Sequence, residues 1–406
     1  MKGKILNLSF LSFTFLIFVY SGAIKGAFFF SNFEFDLTLI GFLVVLSSLF
    51  FILIRNHFYI PYTFLFAFSI FFLFSIPLLW TDFTDYATRK TLQMFSLTAL
   101  AALFPAIYFK KPSDIKEYLN SILILALFLC GNAIYAFFNA VNIGQFIALS
   151  TDYIIFSRIC GVAFIYTIIL LLNEQSKSRS FLFAIIAIVL LFSIISTGAR
   201  GPLIALFCSI ILLFYFLFKT RKDNLGKIII STLIMSFLFT FFLSKAPKSS
   251  SNRIKQIVFE HDFSSFDRPN IFKKAIDYSL TSFWGSGWGG FEKIGSDNIY
   301  RDKSNYFNAI RSYPHNIFLE ILSEAGWLIA IIFIIILIIL FRSISKNYNY
   351  KNEIEFLSLY IILFFLMLAS MSSNDFNDNR DFFSFIGISI AYIFYGYSEK
   401  RTPIKY

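Results

Sequence analysis

Arg158, Arg200 and His315 are the residues of this chain whose types and settings could do chemistry. Each stands in apolar surroundings: "YIIFSRICGVAF" holds Arg158, "STGARGPL" holds Arg200, and "YPHNIFLEILSEAGWL" holds His315. A guanidinium is a planar fork that bonds two phosphate oxygens at once. An imidazole, with an intrinsic pKa of ~6.5, can accept a proton near neutrality. Together they would hold an anionic head group and serve a second, uncharged reactant.

Each residue also has a plainer reading. Arg158 lies six residues into an apolar run, ~8 Å below its end, where it could snorkel to the interface; at the centre of a bilayer an arginine costs ~3 kcal/mol. Gly198, Gly201 and Pro202 break two apolar helices, and Pro202 suits the first position of the returning one. The free N–H groups there, with Arg200, form a ready anion site; equally, Arg200 could face water from an ordinary hairpin turn. Pro314 forces Tyr313 out of helical conformation and starts the next helix, which puts His315 in its first turn. The helix dipole there favours neutral imidazole. A lone interfacial histidine is more often structural than catalytic, so the conjunction of the three carries the inference. Glu320 and Glu324 are four apart and share a face. Glu324 falls ~13 Å along the helix, so it needs a basic partner in the bundle. Arg158 and Arg200 are the candidates, and the two glutamates read first as a buried structural ion pair.

The elements that must position these groups follow from composition. Hydrophobic residues make up 57% of the 406 and charged ones only 15%, well below the quarter or so normal for a soluble domain. Apolar runs of ~20 residues recur, which means bilayer-spanning helices and no β-barrel. About twelve spans are expected, at 5–23, 37–54, 60–80, 91–109, 118–140, 153–173, 181–196, 202–218, 228–244, 316–341, 354–371 and 382–397. The N-terminal run is too long for a signal-peptide core and reads as a retained first helix. The chain then divides into a bundle over 1–244, a polar loop over 245–314, and a second bundle over 315–406. The fold class is an all-α polytopic membrane protein with one large external loop between spans nine and ten.

Lys and Arg in the short loops set the orientation. Lys110, Lys111, Lys116, Lys219, Arg221, Lys222 and Arg342 fall on one side; the other has only Lys25, Arg89, Lys90 and Arg380. The basic side is cytoplasmic, both termini with it. The net charge of +11 is therefore topology, not a nucleic-acid surface. Cys130, Cys160 and Cys208 sit in apolar runs and imply no disulfide framework. The loop carries Arg253, Arg268, Arg301 and Arg311, and "FWGSGWGGF" with Trp284 and Trp288. Glycines with exposed tryptophans suit sugar stacking or an interfacial anchor. Asp375, Asp378 and Asp381 are three apart without a calcium-loop pattern, so neither metal nor cofactor is expected.

At these residues the chain resembles the O-antigen ligase and polymerase superfamily of bacterial envelope glycosyltransferases, over roughly residues 150–390. His315-Asn316, nine residues and Gly326 resemble the family's signature after its large periplasmic loop. "STGARGP" resembles its short Arg-Gly turn, "RICG" its earlier arginine, and "DRPNIFKKAIDYSLTSFWGSGWGGF" its loop segment ending in Gly-x-Gly. "SSNDFNDNRDF", with Asp375 and Arg380, resembles the polar turn before its last span. The resemblance implies metal-independent, inverting transfer of a glycan from an undecaprenyl-diphosphate carrier to an acceptor hydroxyl, at the periplasmic face of the bacterial inner membrane. Carried over, Arg158 and Arg200 would hold the diphosphate. His315 would orient or deprotonate the acceptor. Arg268, Arg311, Trp288, Asn316 and Arg380 would be substrate contacts. Partners would be the lipid-linked oligosaccharide, an acceptor glycan or glycolipid and membrane lipid, with a chain-length regulator as a further candidate.

The family splits by acceptor, and the Phe- and Ile-rich chain leans toward a repeat-unit polymerase over a ligase that caps lipid A–core. A lipid-linked oligosaccharide flippase is the alternative of another class. Transporters show paired halves with broken helices in matching positions, whereas this chain has one long loop without a symmetric counterpart.

Overall fold

The structure is a computed structural model that describes residues 10–26, 35–55, 57, 60–138, 153–220, 240–242, 244, 263–295, 313–346, 353–372 and 375–400. Among these residues helix dominates and no strand occurs. In lipid a helix satisfies its own backbone polar groups, so apolar composition and helical structure go together. Among the described residues eight helices are long and apolar enough to cross a membrane. They are α2 (Leu37–Arg55), α3 (Tyr62–Trp80), α4 (Asp85–Tyr108), α5 (whose crossing part is Pro112–Tyr135), α6 (Tyr153–Asn173), α7 (Lys177–Thr197), α8 (whose crossing part is Arg200–Phe218) and α11 (Trp327–Lys346). Around them lie α1 (Phe10–Val19), α9 (Phe263–Thr281), α10 (Ile317–Glu320 with the π turn Ile321–Ala325), α12 (Glu353–Ser370) and α13 (Arg380–Lys400). The expected span at 228–244 falls almost wholly outside the described residues. So do Arg253, Arg301 and Arg311 of the loop.

The packing divides the chain into two compact units that interleave along it. The first unit holds α1, α2, α5, α6, α7, α8 and nearly all of α12. Within it α1 packs on α2 and α5, and α6 packs on α5, α7 and α8. Gly161 of α6 lies against the Phe365 ring of α12, leaving no room for a side chain.

The second unit holds α3, α4, α9, α10, α11 and α13. Its α4 and α13 pack most closely, where a Cβ on Gly387 would collide with the Ala102 carbonyl oxygen. Its core is aromatic. Phe74 has ring centroids 5.9 Å from Trp288, 5.4 Å from Phe333 and 5.2 Å from Phe376, and Phe376 lies 4.8 Å from Phe383. The Phe74 contacts with Trp288 and Phe376 are edge-to-face, a geometry that fixes ring orientation beyond simple burial. The tenth expected span, 316–341, is not one helix. Gly326, with φ 89 and ψ 172, breaks it into α10 and α11.

Gly387→Val tests the α4–α13 contact. Backbone and not a flexible side chain opposes the new atoms, so overpacking should cost about 1–3 kcal/mol. A lowered thermal transition of the purified protein is the expected readout.

Candidate functional site

The segment from Tyr313 to Asn316 is a corner built by three residue types. Pro314 is buried, and its ring disfavours helical conformation at Tyr313, which lies in a bend. Asn316 is the N-cap of α10, and its Oδ1 accepts from Phe318 N at 3.0 Å and Leu319 N at 3.2 Å. His315 therefore lies one residue before the cap and not in the first helical turn as expected. Asparagine takes the cap because its side chain satisfies free N–H groups that an imidazole ahead of the helix does not reach. His315 has φ 54, the left-handed region that a bulky side chain rarely enters. Its ring meets the Tyr313 ring edge-on at 4.5 Å and stays partly exposed.

Glycines lock the far end of α10 to the glycine-rich segment that follows α9. Ser286 N donates to the Ser323 carbonyl, and Gly287 N to the Glu324 carbonyl, both at 2.9 Å. Trp327 N donates to the Phe283 carbonyl at 3.0 Å. A Cβ on Gly285 would lie 2.5 Å from the Glu324 carbonyl oxygen, and one on Gly326 would lie 2.6 Å from the Phe283 carbonyl oxygen. The two strips of backbone touch without side chains between them, and glycine is what allows that approach.

The glutamates of α10 do have a buried basic partner, but it is neither arginine named for it. Lys90 of α4 places its Nζ 2.5 Å from Glu320 Oε1 and 2.6 Å from Glu324 Oε2. All three side chains are at most 1% exposed. Glu324 Oε2 also accepts from Gly289 N at 3.0 Å. The Lys90 carbonyl accepts from Asn377 Nδ2 at 3.0 Å, and the Tyr86 ring centroid lies 5.7 Å from the ammonium. Sequence reasoning counted Lys90 as an external-loop cation. The available signal was that two intramembrane carboxylates one turn apart demand a cation, and Lys90 abuts the apolar run of α4.

One other expectation changes. Trp288 is fully buried, its Nε1 donating to the Phe74 carbonyl at 2.8 Å and its N to Thr81 Oγ1 at 2.9 Å. A ring enclosed on all sides cannot stack on a sugar, so Trp288 is a core residue; Trp284, 58% exposed, keeps the exposed position. Arg380 opens α13 and is partly exposed, after a turn where Asn379 Nδ2 donates to the Asp375 carbonyl. Arg268 lies within α9. Arg311 is outside the described residues.

In the first unit, Arg158 is completely buried within α6. Gly198 ends α7 in the left-handed conformation, and α8 begins at Arg200 after Ala199 alone. Pro202 is therefore the third helical residue and not the first, still within the turn whose N–H groups lack helical acceptors. The links 174–176 and 198–199 are short, so α6, α7 and α8 run up and down beside one another. That connectivity brings Arg158 and Arg200 to the same end of the three helices.

Residues 185–334 match the family model described as O-Antigen ligase. The O-antigen ligase match bears out the resemblance over that stretch, which contains Arg200, Arg268, Trp288, Arg311, His315, Asn316 and Gly326. It leaves Arg158 and Arg380 outside, so it is narrower than the 150–390 resemblance. No curated protein matches the chain. With its apolar helices, a protein carrying an O-antigen ligase match is an integral membrane protein.

Asn316→Ala removes two acceptor contacts of the cap and should cost about 1 kcal/mol. Gly326→Ala puts a Cβ at a disfavoured backbone angle and against Phe283 and Trp284, and should cost about 1–3 kcal/mol more than a surface alanine substitution. Thermal unfolding of both variants, beside a substitution of exposed Leu79, checks the order.

Proposed function

We propose that this protein is a glycosyltransferase of the O-antigen polymerase and ligase type, acting as a repeat-unit polymerase at the periplasmic face of the bacterial inner membrane. The observation that carries the reading is the O-antigen ligase match, which ends across the corner bearing His315. A partly exposed imidazole on a strained backbone, next to a cap and a helix held by a glycine interlock, suits a group that must meet a reactant.

In this reading Arg158 and Arg200 hold the diphosphate of an undecaprenyl-linked glycan. An acceptor hydroxyl attacks C1 of the donor sugar, and the bond from C1 to the diphosphate breaks with inversion. His315 orients that hydroxyl or takes its proton. The two guanidiniums stabilise the charge that collects on the departing undecaprenyl diphosphate. General-base help is worth about 10²–10⁴-fold. Arg268, Arg311 and Arg380 contact phosphate or glycan, and Asn316 holds the corner. The chemistry needs no metal, because fixed cations do the work on the leaving group. The termini are cytoplasmic, and the 245–314 loop is periplasmic.

His315→Ala and Arg200→Ala should each abolish glycan extension while the protein still inserts in the membrane; full-length polysaccharide ladders from His315→Ala cells would remove the catalytic role. Purified protein should release undecaprenyl diphosphate from a lipid-linked donor in the presence of a chelator. A flippase would translocate the donor and release nothing. Deleting the gene should leave one repeat unit on lipid A–core if the protein is a polymerase, and bare core if it is a ligase.

A further inference from the structure

Three of the segments that resemble the family, namely the His-Asn segment, the glycine-rich end of the loop segment and the polar turn, converge within the second unit on a residue belonging to none of them. The Lys90 ammonium meets Glu320 and Glu324 of α10, one turn and two turns beyond the Asn316 cap. Glu324 Oε2 is shared with the backbone N–H of Gly289, in the glycine-rich end of the loop segment. The carbonyl of Lys90 is taken by Asn377, in the polar turn before α13, and Asn377 Oδ1 is 3.3 Å from Thr98 Oγ1. Directly after Lys90's turn, α4 relaxes into a π turn over Met94–Thr98. One lysine thus joins α4, α10, the glycine-rich segment and the polar turn.

We propose that Lys90 is a positioning residue for glycan transfer, acting through Glu320 and Glu324 to hold the Tyr313–Asn316 corner and with it the His315 ring. The assignment rests on the glycosyltransferase reading above. The reasons lie in the geometry. The two carboxylates are on successive turns of a short helix, so a cation bonded to both fixes its rotation and its advance along the axis. An uncharged residue could fill the space without doing either. Slippage of α10 by one residue would part both ion pairs and the hydrogen bonds of Ser286 and Gly287. Because α10 is only nine residues from Ile317 to Ala325, such a shift would pass directly to the cap and to His315. A misplacement of an ångström at a reacting group can cost about a hundredfold in rate.

The test must separate positioning from mere folding. Lys90→Met alone strands two buried carboxylates and can fail to fold, so the informative protein is Lys90→Met/Glu320→Gln/Glu324→Gln, neutral and nearly isosteric. In nanodiscs it should keep its helical content and thermal transition. The amides of Phe318 and Leu319 should exchange with deuterium about tenfold faster or more. With a lipid-linked donor, kcat should fall about tenfold or more while donor KM stays within about twofold. Lys90→Arg should keep most of the activity, since it retains the charge. A neutral protein with wild-type exchange and wild-type kcat would overturn the proposal, as would a raised KM at unchanged kcat. If the unaltered protein releases no carrier diphosphate, the glycosyltransferase reading fails, and the exchange arm still decides whether Lys90 holds the corner.

Discussion

The second unit is organised by an ammonium held between two carboxylates in a space that neither water nor lipid reaches. Burying three charged groups is costly, and their mutual attraction often only offsets the loss of solvation. Net stability is therefore a poor reason for the arrangement to exist. Register is a better one. Apolar rings, such as those around Phe74, tolerate small slides because dispersion falls off gradually with displacement. A triad with contacts of 2.5 and 2.6 Å does not tolerate them. In a unit where α3, α4, α11 and α13 present mostly phenylalanine, isoleucine and alanine to one another, the triad supplies the directional constraint that the greasy contacts lack.

The break at Gly326 poses a second problem that the same region answers. A helix interrupted where it is buried leaves backbone N–H and C=O groups that must find other partners. The groups freed at Ser323, Glu324 and Trp327 are taken by Ser286, Gly287 and Phe283. That exchange requires two backbones in contact, hence glycines at 285, 287, 289 and 326, all with positive φ. The glycine-rich segment and Gly326, ten residues past Asn316, are thus one structural device. Each supplies what the other lacks, and Glu324 joins both to Lys90 through its carbonyl and its carboxylate.

Much of the architecture was readable from hydropathy, because a run of ~20 apolar residues has few alternatives in a bilayer. The tight turn ending at Arg200 followed from the same pattern, whereas for Arg158 the pattern left burial and snorkelling both open. Three features escaped. The partner of Glu320 and Glu324 lies 234 residues away from Glu324, and periodicity says nothing about such pairs; arginines already singled out for another role drew the assignment. Trp288 sat among glycines, a context that reads as an exposed loop, yet those glycines let the backbone turn the indole into the core. The start of α10 was displaced because Pro314 was given the helix-starting role that Asn316 fills. Proline restricts the residue before it, but it is the side-chain oxygen two positions later that satisfies the first free N–H groups.

The conformation of His315 ties these elements to chemistry. A histidine at φ 54 has left the broad basins open to it, and it stays there only if its neighbours over-determine it. On one side Pro314 restricts the chain; on the other Asn316 is committed to capping Phe318 and Leu319. The cap in turn cannot move while α10 is pinned through Glu320 and Glu324. A restraint that begins at a buried ammonium on α4 therefore ends at a partly exposed imidazole. The strain falls on the residue of the corner whose side-chain type has an intrinsic pKa near neutrality, and the restraint comes from buried residues around it. Flexible loops hold side chains loosely; a corner built this way holds its ring in one place before any substrate arrives, which is the condition for orienting a hydroxyl without a cost in entropy at the moment of reaction.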